Sequence, residues 1–197
     1  MAQRPSEGKL LYHITHIDNM PSILKYGLLP RSEIRQKGLD FTDIADPEIL
    51  NKRESYKQTL SQYVLFHFYA KNPFDGAVCK KHGSENMVII TISRELHKKN
   101  EFLIIPSHPL DKEKPDIYPY DEGFKKIRWD ILDKETGRDY RNPEIRKACM
   151  AECVMQYVIQ PEVFSFVFVK DKLAEMKIRQ MENSNLISIK VNDKMFP

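Results

Sequence analysis

Short runs of β-branched and aromatic residues recur along this chain and are typical of β-strands. We expect strands at residues 9–15, 63–68, 87–92, 102–105, 165–169 and 186–191. Between them, apolar residues at helical spacing predict short helices rather than long ones. Strand and helix do not alternate regularly, so the pattern favours an α+β fold with two small, mainly antiparallel sheets and flanking helices over a doubly wound parallel sheet.

Capping and breaking residues indicate where the helices begin and end. Asp18 can cap a short helix that carries Met20, Ile23 and Leu24 on one face, and Gly27 can end it. A proline at position 47 is typical of a helix start and places Arg53 on that helix. Further helices are predicted at residues 93–97, 124–132 and 171–181.

Residues 144–157 (EIRKACMAECVMQY) fit two structures. As a helix, the segment groups Ile145, Ala148 and Glu152 on one face. As a strand from residue 150, it places Glu152 with Val154 on one side and Cys153 on the other. Periodicity alone does not decide between them. In both cases Glu152 is the one acid within an apolar run.

The length and composition fit a single domain that spans residues 1–197 and has a normal core. Of its residues, 41% are hydrophobic and 30% charged, and the formal net charge is +3. No apolar run could span a membrane, and the first residues lack an apolar signal segment, so we expect a soluble, cytoplasmic protein. Cys79, Cys149 and Cys153 form no Cys-x-x-Cys pair, which argues against disulfides and a zinc site.

The candidate chemistry rests on few residues. A carboxylate among apolar neighbours, as at Glu152, costs free energy unless it is paired or functional. A structural ion pair with an arginine explains Glu152 at least as well as catalysis, and Arg53 alone reads as a solvated helical side chain. His13 and His16 lack a third ligand, so we expect no metal. Glycine-rich phosphate loops and Gly-x-Ser-x-Gly are absent from the sequence.

Several ordered blocks of the chain resemble the DarT family, the toxins of DarT–DarG systems that ADP-ribosylate bases in single-stranded DNA. The opening LYHITHIDNMPSIL at residues 11–24, followed by GLL at 27–29, resembles the start of that family. The resemblance continues through residues 43–53 and 63–74, IRWD at 127–130 and AECV at 151–154, and reaches Met195 and Phe196. It covers essentially the whole chain.

The resemblance implies an ADP-ribosyltransferase fold in which NAD⁺ lies in a cleft between two small sheets. It implies that Glu152 is the catalytic glutamate and that Arg53 contacts NAD⁺ and assists catalysis. The cofactor-binding positions that it implies are His13, Ile14, Thr15, Asn19, Ile44 and Arg53. A recognition loop is implied at residues 136–147, and DNA contacts are implied at His67, Lys71, Phe74, His108 and Arg146, with Lys80 and Lys81 as further candidates.

The target base and the reaction partner stay open at this point. His67, Phe74 and the PSHP stretch at 106–109 stand where family members that modify thymidine commonly carry other residues, so both thymine and guanine are candidates. Related enzymes of this fold that act on RNA or protein, and a non-catalytic nucleic-acid-binding module, are the alternatives. The resemblance further implies a monomeric toxin with a macrodomain antitoxin as partner.

Overall fold

The computed structural model describes residues 4–45, 60–109, 115–134, 136 and 138–197. The eight strands of this part of the chain are β1 (Leu10–His16), β2 (Val64–His67), β3 (Met87–Ser93), β4 (Leu103–Ile105), β5 (Tyr118–Pro119), β6 (Glu152–Met155), β7 (Phe164–Val169) and β8 (Ile189–Val191). Its α-helices are α1 (Met20–Tyr26), α2 (Arg31–Gln36), α3 (Pro73–His82), α4 (Tyr120–Lys126), α5 (Trp129–Leu132), α6 (Pro143–Ala148) and α7 (Lys172–Arg179).

The strands form one sheet in the order β5-β4-β6-β2-β1-β3-β7-β8. Neighbouring strands are antiparallel except β7 and β8, which are parallel. The predicted α+β class is therefore confirmed, although the sheet count differs from the expected two. The difference is small, because β1 and β2 are joined only through Tyr12 and His67. The sheet divides at this seam into two halves of four strands each.

Strand β3 lies at the centre of the core and is covered on both faces. Six of its seven residues are buried, as expected of a strand packed from both sides. Val88, Ile90 and Ile92 join the main hydrophobic cluster, whereas Met87 and Ile89 join a second cluster on the opposite face. This alternation is the period of two that a strand requires.

The ambiguous segment 144–157 contains both structures in succession. It is helical through α6 and becomes extended at Glu152, where β6 begins. Cys153 packs in the main cluster, and Val154 packs in a smaller cluster on the other side. The strand alternative therefore holds from Glu152 onward, and the helix ends before it.

Two of the predicted helix boundaries need correction. Asn19, and not Asp18, occupies the N-cap of α1, and Asp18 instead forms an ion pair with Lys177 at 2.9 Å. The stretch 124–132 is split into α4 and α5 because Ile127 adopts an extended conformation. Gly27 ends α1 as predicted, at φ 84°, where an added Cβ would lie 2.6 Å from a Val158 methyl. The helix predicted after position 47 lies outside the described residues.

The three cysteines are buried and free. In the described ranges no helix is long and apolar enough to cross a membrane. Nor do the described residues hold a group of three His, Cys, Asp or Glu side chains placed to bind a metal ion.

Candidate active site

A deep cleft opens where β1 and β2 separate. It encloses about 1250 Å³ when its open mouth is included. The cleft brings together eight of the residues selected from the sequence, namely His13, Ile14, Thr15, Asn19, Ile44, His67, Phe74 and Glu152.

Glu152 lies on the floor of this cleft. It is the first residue of β6 and is held between two strands, paired with His67 of β2 and Ile105 of β4. The side chain lines the cleft although only 1% of the residue is exposed. A carboxylate in this position acts in a water-poor environment, where its electrostatic effect on a bound molecule is stronger than in bulk water.

His13 lies on the β1 wall and bridges the cleft to β2. Its Nδ1 lies 2.7 Å from the carbonyl oxygen of Leu65. Since a carbonyl only accepts hydrogen bonds, Nδ1 carries the proton and donates it. Burial lowers the pKa of His13 despite that hydrogen bond, so the ring is neutral at pH 7. The neutral ring keeps Nε2 as a hydrogen-bond acceptor for a ligand.

Asn19 holds a further wall of the cleft in place. Its amide nitrogen donates to the Thr15 hydroxyl and to the Thr42 carbonyl, each at 3.0 Å. Its amide oxygen accepts from the backbone nitrogen of Thr42 at 2.8 Å. Both amide hydrogens are therefore used within the protein, so Asn19 positions residues 40–45, the wall segment, against β1.

Arg31 and Asp43 form a second attachment of the wall segment that the sequence analysis missed. The two side chains make a bidentate ion pair, and Asp43 also accepts from the backbone nitrogen of Ala45 at 3.1 Å. Arg31 additionally lies 5.8 Å from the ring centroid of Phe41, and both line the cleft. Asp43 lies within a block that carries the family resemblance, but no local pattern indicates its pairing with Arg31.

The predicted DNA contacts divide between the cleft and the surface beside it. The rings of His67 and Phe74 lie 6.2 Å apart at the cleft. Lys71 is exposed just before α3, and Lys80 and Lys81 are exposed near the end of this helix. The helical rise places Lys80 about 9 Å along the axis from Phe74, so α3 carries positive charge away from the cleft.

His108 and Arg146 lie at a neighbouring surface rather than among the residues that line the cleft. The backbone nitrogen of His108 donates to the carbonyl of Lys147 at 3.0 Å, which joins the 106–109 stretch to α6. Arg146 is exposed on α6, within the predicted recognition loop. Tyr140 of that loop donates to the carbonyl of Lys71 at 3.2 Å. The loop is thereby attached to the corner before α3. Arg53, predicted as a second catalytic residue, lies outside the described residues.

Solved structures with this architecture include ADP-ribosyltransferases of the DarT type. The Thermus sp. 2.9 DarT in complex with ADP-ribosylated single-stranded DNA has a TM-score of 0.82 at 19% identity, over 100% of both chains. The Thermosipho africanus DarTG in complex with ADP-ribose has a TM-score of 0.80 at 24% identity, over 96% of this chain and 51% of that one. These similarities define the fold class.

The family follows from the sequence comparison. The model for DarT, described as an ssDNA thymidine ADP-ribosyltransferase, matches residues 12–196. A fusion of a DNA ADP-ribosyl transferase with a DNA ADP-ribosyl glycohydrolase, from Thermosipho africanus strain H17ap60334, is 26% identical over 184 residues, which are 91% of this chain. The chain spans about half of that relative, 47% of its length. The chain therefore belongs to the DarT family of single-stranded-DNA ADP-ribosyltransferases.

Proposed function

We propose that this chain cleaves NAD⁺ and transfers its ADP-ribose to a base of single-stranded DNA, with Glu152 as the catalytic carboxylate. The observation that carries the proposal is the position of Glu152 on the floor of a cleft whose opposite wall is β1. The walls of the cleft combine apolar side chains with polar ones that can orient a bound dinucleotide. The Thermus sp. 2.9 DarT, which has the same fold and was solved in complex with NAD⁺ and with carba-NAD⁺, supports this choice of ADP-ribose donor.

In this proposal Glu152 acts in two ways. Positive charge develops on the ribose as its bond to nicotinamide lengthens, and a fixed carboxylate beside it stabilises that transition state more than the ground state. The same carboxylate accepts the proton of the attacking base nitrogen. Arg53 is proposed, on the family resemblance, to orient the reactants and balance charge.

The other cleft residues are proposed to bind NAD⁺, the ADP-ribose donor. Nε2 of His13 offers an acceptor, and the Thr15 hydroxyl, which accepts from Asn19, still has its own hydrogen to donate. Ile14 and Ile44 supply apolar contacts. Asn19 is proposed to assist NAD⁺ binding indirectly, because it positions the wall segment.

The DNA is proposed to enter beside α3. His67 and Phe74 lie where a base that reaches the cleft would contact aromatic surface, and stacking of this kind binds single strands. Lys71, Lys80, Lys81, His108 and Arg146 would meet the phosphates from α3 and from the surface beside α6. The family description names thymidine, whereas His67 and Phe74 depart from thymidine-modifying members, so thymine and guanine are the two targets to compare.

The biological role is proposed from the family and from the fused relative. We propose a cytoplasmic, monomeric toxin that acts as one domain over residues 1–197. Its proposed partner is a macrodomain antitoxin with DNA ADP-ribosyl glycohydrolase activity, as in the fused relative.

Mass spectrometry of oligonucleotides tests the reaction and the target together. We expect a gain of one ADP-ribose on oligo-dT or on an oligonucleotide containing guanine after incubation with NAD⁺. Glu152→Gln should reduce the rate by about 10²–10⁴-fold while DNA binding is retained, since the substitution removes one positioned charged group. Unmodified DNA beside a labelled RNA or protein, or full activity of Glu152→Gln, would contradict the proposal.

A further inference from the structure

Arg94 is a buried arginine that follows β3 and bonds to backbone carbonyl groups. Only 5% of the residue is exposed. Its Nε donates to the Leu10 carbonyl at 3.0 Å and one Nη donates to the Phe68 carbonyl at 2.8 Å. The other Nη lies 3.5 Å from the carbonyl of Ser6. Among the described residues, no carboxylate forms an ion pair with this guanidinium.

The two close acceptors of Arg94 lie on opposite sides of the seam in the sheet. Leu10 is the first residue of β1, and Phe68 directly follows β2. Between these strands the backbone ladder is reduced to Tyr12 and His67. The His13–Leu65 hydrogen bond spans the seam at the cleft end. Arg94 therefore spans the seam at the end away from the cleft opening.

The burial of this cation is costly and needs an explanation. Desolvation lowers the pKa of Arg94, and an arginine nevertheless stays charged in proteins. Backbone carbonyls and the Phe68 ring, whose centroid lies 5.0 Å away, compensate part of that cost. A planar guanidinium has donors in fixed, divergent directions, which allows one side chain to bind two strands at a defined separation.

We propose that Arg94 is a positioning residue that fixes the separation between the β1 wall of the cleft and the floor that carries Glu152. It joins the half of the sheet that carries His13 and Thr15 to the half that carries Glu152. The proposal rests on the proposed function, because it gives this separation a role in catalysis. Burial raises the pKa of the Cys153 thiol, the neighbour of Glu152 in β6, and the Arg94 charge offsets a smaller part of that rise.

The kinetic test compares Arg94→Lys with Thr91→Val. A lysine keeps the charge but presents one nitrogen, which cannot bind both strands at the same separation. We expect kcat for DNA modification to fall at least about tenfold, because misplacement of reacting groups by about 1 Å costs up to about 10²-fold in rate. The KM for NAD⁺ should change less than about threefold, because most proposed donor contacts lie on the β1 half.

Thr91 provides the matched control. It is fully buried on β3, and its hydroxyl donates to the Phe166 carbonyl at 2.9 Å and accepts from the Phe166 nitrogen at 3.1 Å. These bonds join β3 to β7 rather than β1 to β2. Thr91→Val should lower the free energy of unfolding and leave kcat within about twofold of the wild type. Equal kcat losses in both variants for equal losses of stability, or an unchanged kcat in Arg94→Lys, would overturn the inference.

A distance measurement tests the inference without reference to activity. Spin labels at Glu101→Cys, two residues before β4, and at Lys190→Cys, in β8, report on the two halves of the sheet. Both positions are exposed, and the native cysteines are buried. We expect a broader distance distribution in Arg94→Met, or in Arg94→Lys if the first variant does not fold, and no broadening in Thr91→Val. Unchanged distributions in the Arg94 variants would refute the positioning role. A wild-type protein that leaves DNA unmodified would refute the proposed function alone.

Discussion

At the residue scale, Asp75 shows how a buried carboxylate shapes the edge of the cleft. It is 2% exposed and accepts a hydrogen bond from the backbone nitrogen of Lys71 at 2.8 Å. Lys71 has φ 63°, a left-handed conformation that costs free energy for a residue other than glycine. The carboxylate thus stabilises the tight corner between β2 and α3 that presents Phe74 to the cleft. Burial raises the pKa of Asp75 from 3.8 to about 7.

This raised pKa makes stability depend on pH in a defined direction. Between pH 4 and 7 the folded protein keeps a proton on Asp75 that the unfolded chain releases, so the free energy of unfolding falls as the pH rises through this window. Asp75→Asn removes the titration. We expect the difference in unfolding free energy, Asp75→Asn minus wild type, to increase from pH 4 to 7 and to level off above, as measured by urea denaturation.

Asp130→Asn serves as the control for that experiment. The hydrogen bond from Arg128 lowers the pKa of Asp130, so the stability that its ionised form contributes is lost only as the pH falls below about 5. Its difference from wild type should therefore be constant between pH 5 and 7. A flat difference for Asp75→Asn over the same window would show that this carboxyl is ionised in the folded protein throughout.

At the element scale, the wall segment is held on β1 and α2 mainly by side chains. Asn19 binds both backbone groups of Thr42, and Arg31 binds Asp43. Ladder hydrogen bonds do not hold residues 40–45, which contain no helix or strand. The position of this wall therefore depends on single side chains, in contrast to the floor formed by β2 and β6.

We expect Asn19→Ala to loosen the wall segment. The substitution leaves the Thr42 backbone groups without these partners and should cost roughly 1–3 kcal/mol in the free energy of unfolding. The KM for NAD⁺ should rise more than kcat falls, because one wall of the donor site is displaced. Asn86→Ala is the control, since Asn86 donates to the His82 carbonyl at 2.8 Å outside the cleft. If both variants had the same KM for NAD⁺, the attachment of the wall segment by Asn19 would have no role in NAD⁺ binding.

Local sequence was sufficient to predict most strands and the ends of several helices. The β-branched run at β3 and the stop at Gly27 have local causes, which the sequence displays. The end of α6 and the start of β6 have no such local cause. Glu152 becomes extended because it pairs with His67 and Ile105, both more than 40 residues away. The bridge from Arg94 to Phe68 is likewise set by the assembled sheet. Only the family resemblance, and no local pattern, selected Asn19 and Ile44 for the cleft.

At the scale of the whole molecule, the divided sheet links ligand binding to stability. The two halves are joined across the seam by Tyr12–His67, His13–Leu65 and Arg94. A ligand that contacts both the β1 wall and the floor formed by β2 and β6 adds further links between the two halves and binds only the folded protein. Its binding free energy therefore adds to the free energy of unfolding by mass action.

The last prediction concerns this link. At a concentration of about 100 times its Kd, ADP-ribose should add ~2.7 kcal/mol and raise the Tm by roughly 5–10 °C for a domain of this size. Glu152→Gln should keep most of this shift, because its carboxylate is proposed to act mainly on the transition state. Asn19→Ala should show a smaller shift at the same ligand concentration, because a displaced wall weakens binding. Differential scanning calorimetry with and without ligand measures all three. An unchanged Tm in the wild type would show that ADP-ribose does not bind the folded protein. An undiminished shift in Asn19→Ala would show that the wall segment does not contribute to ADP-ribose binding.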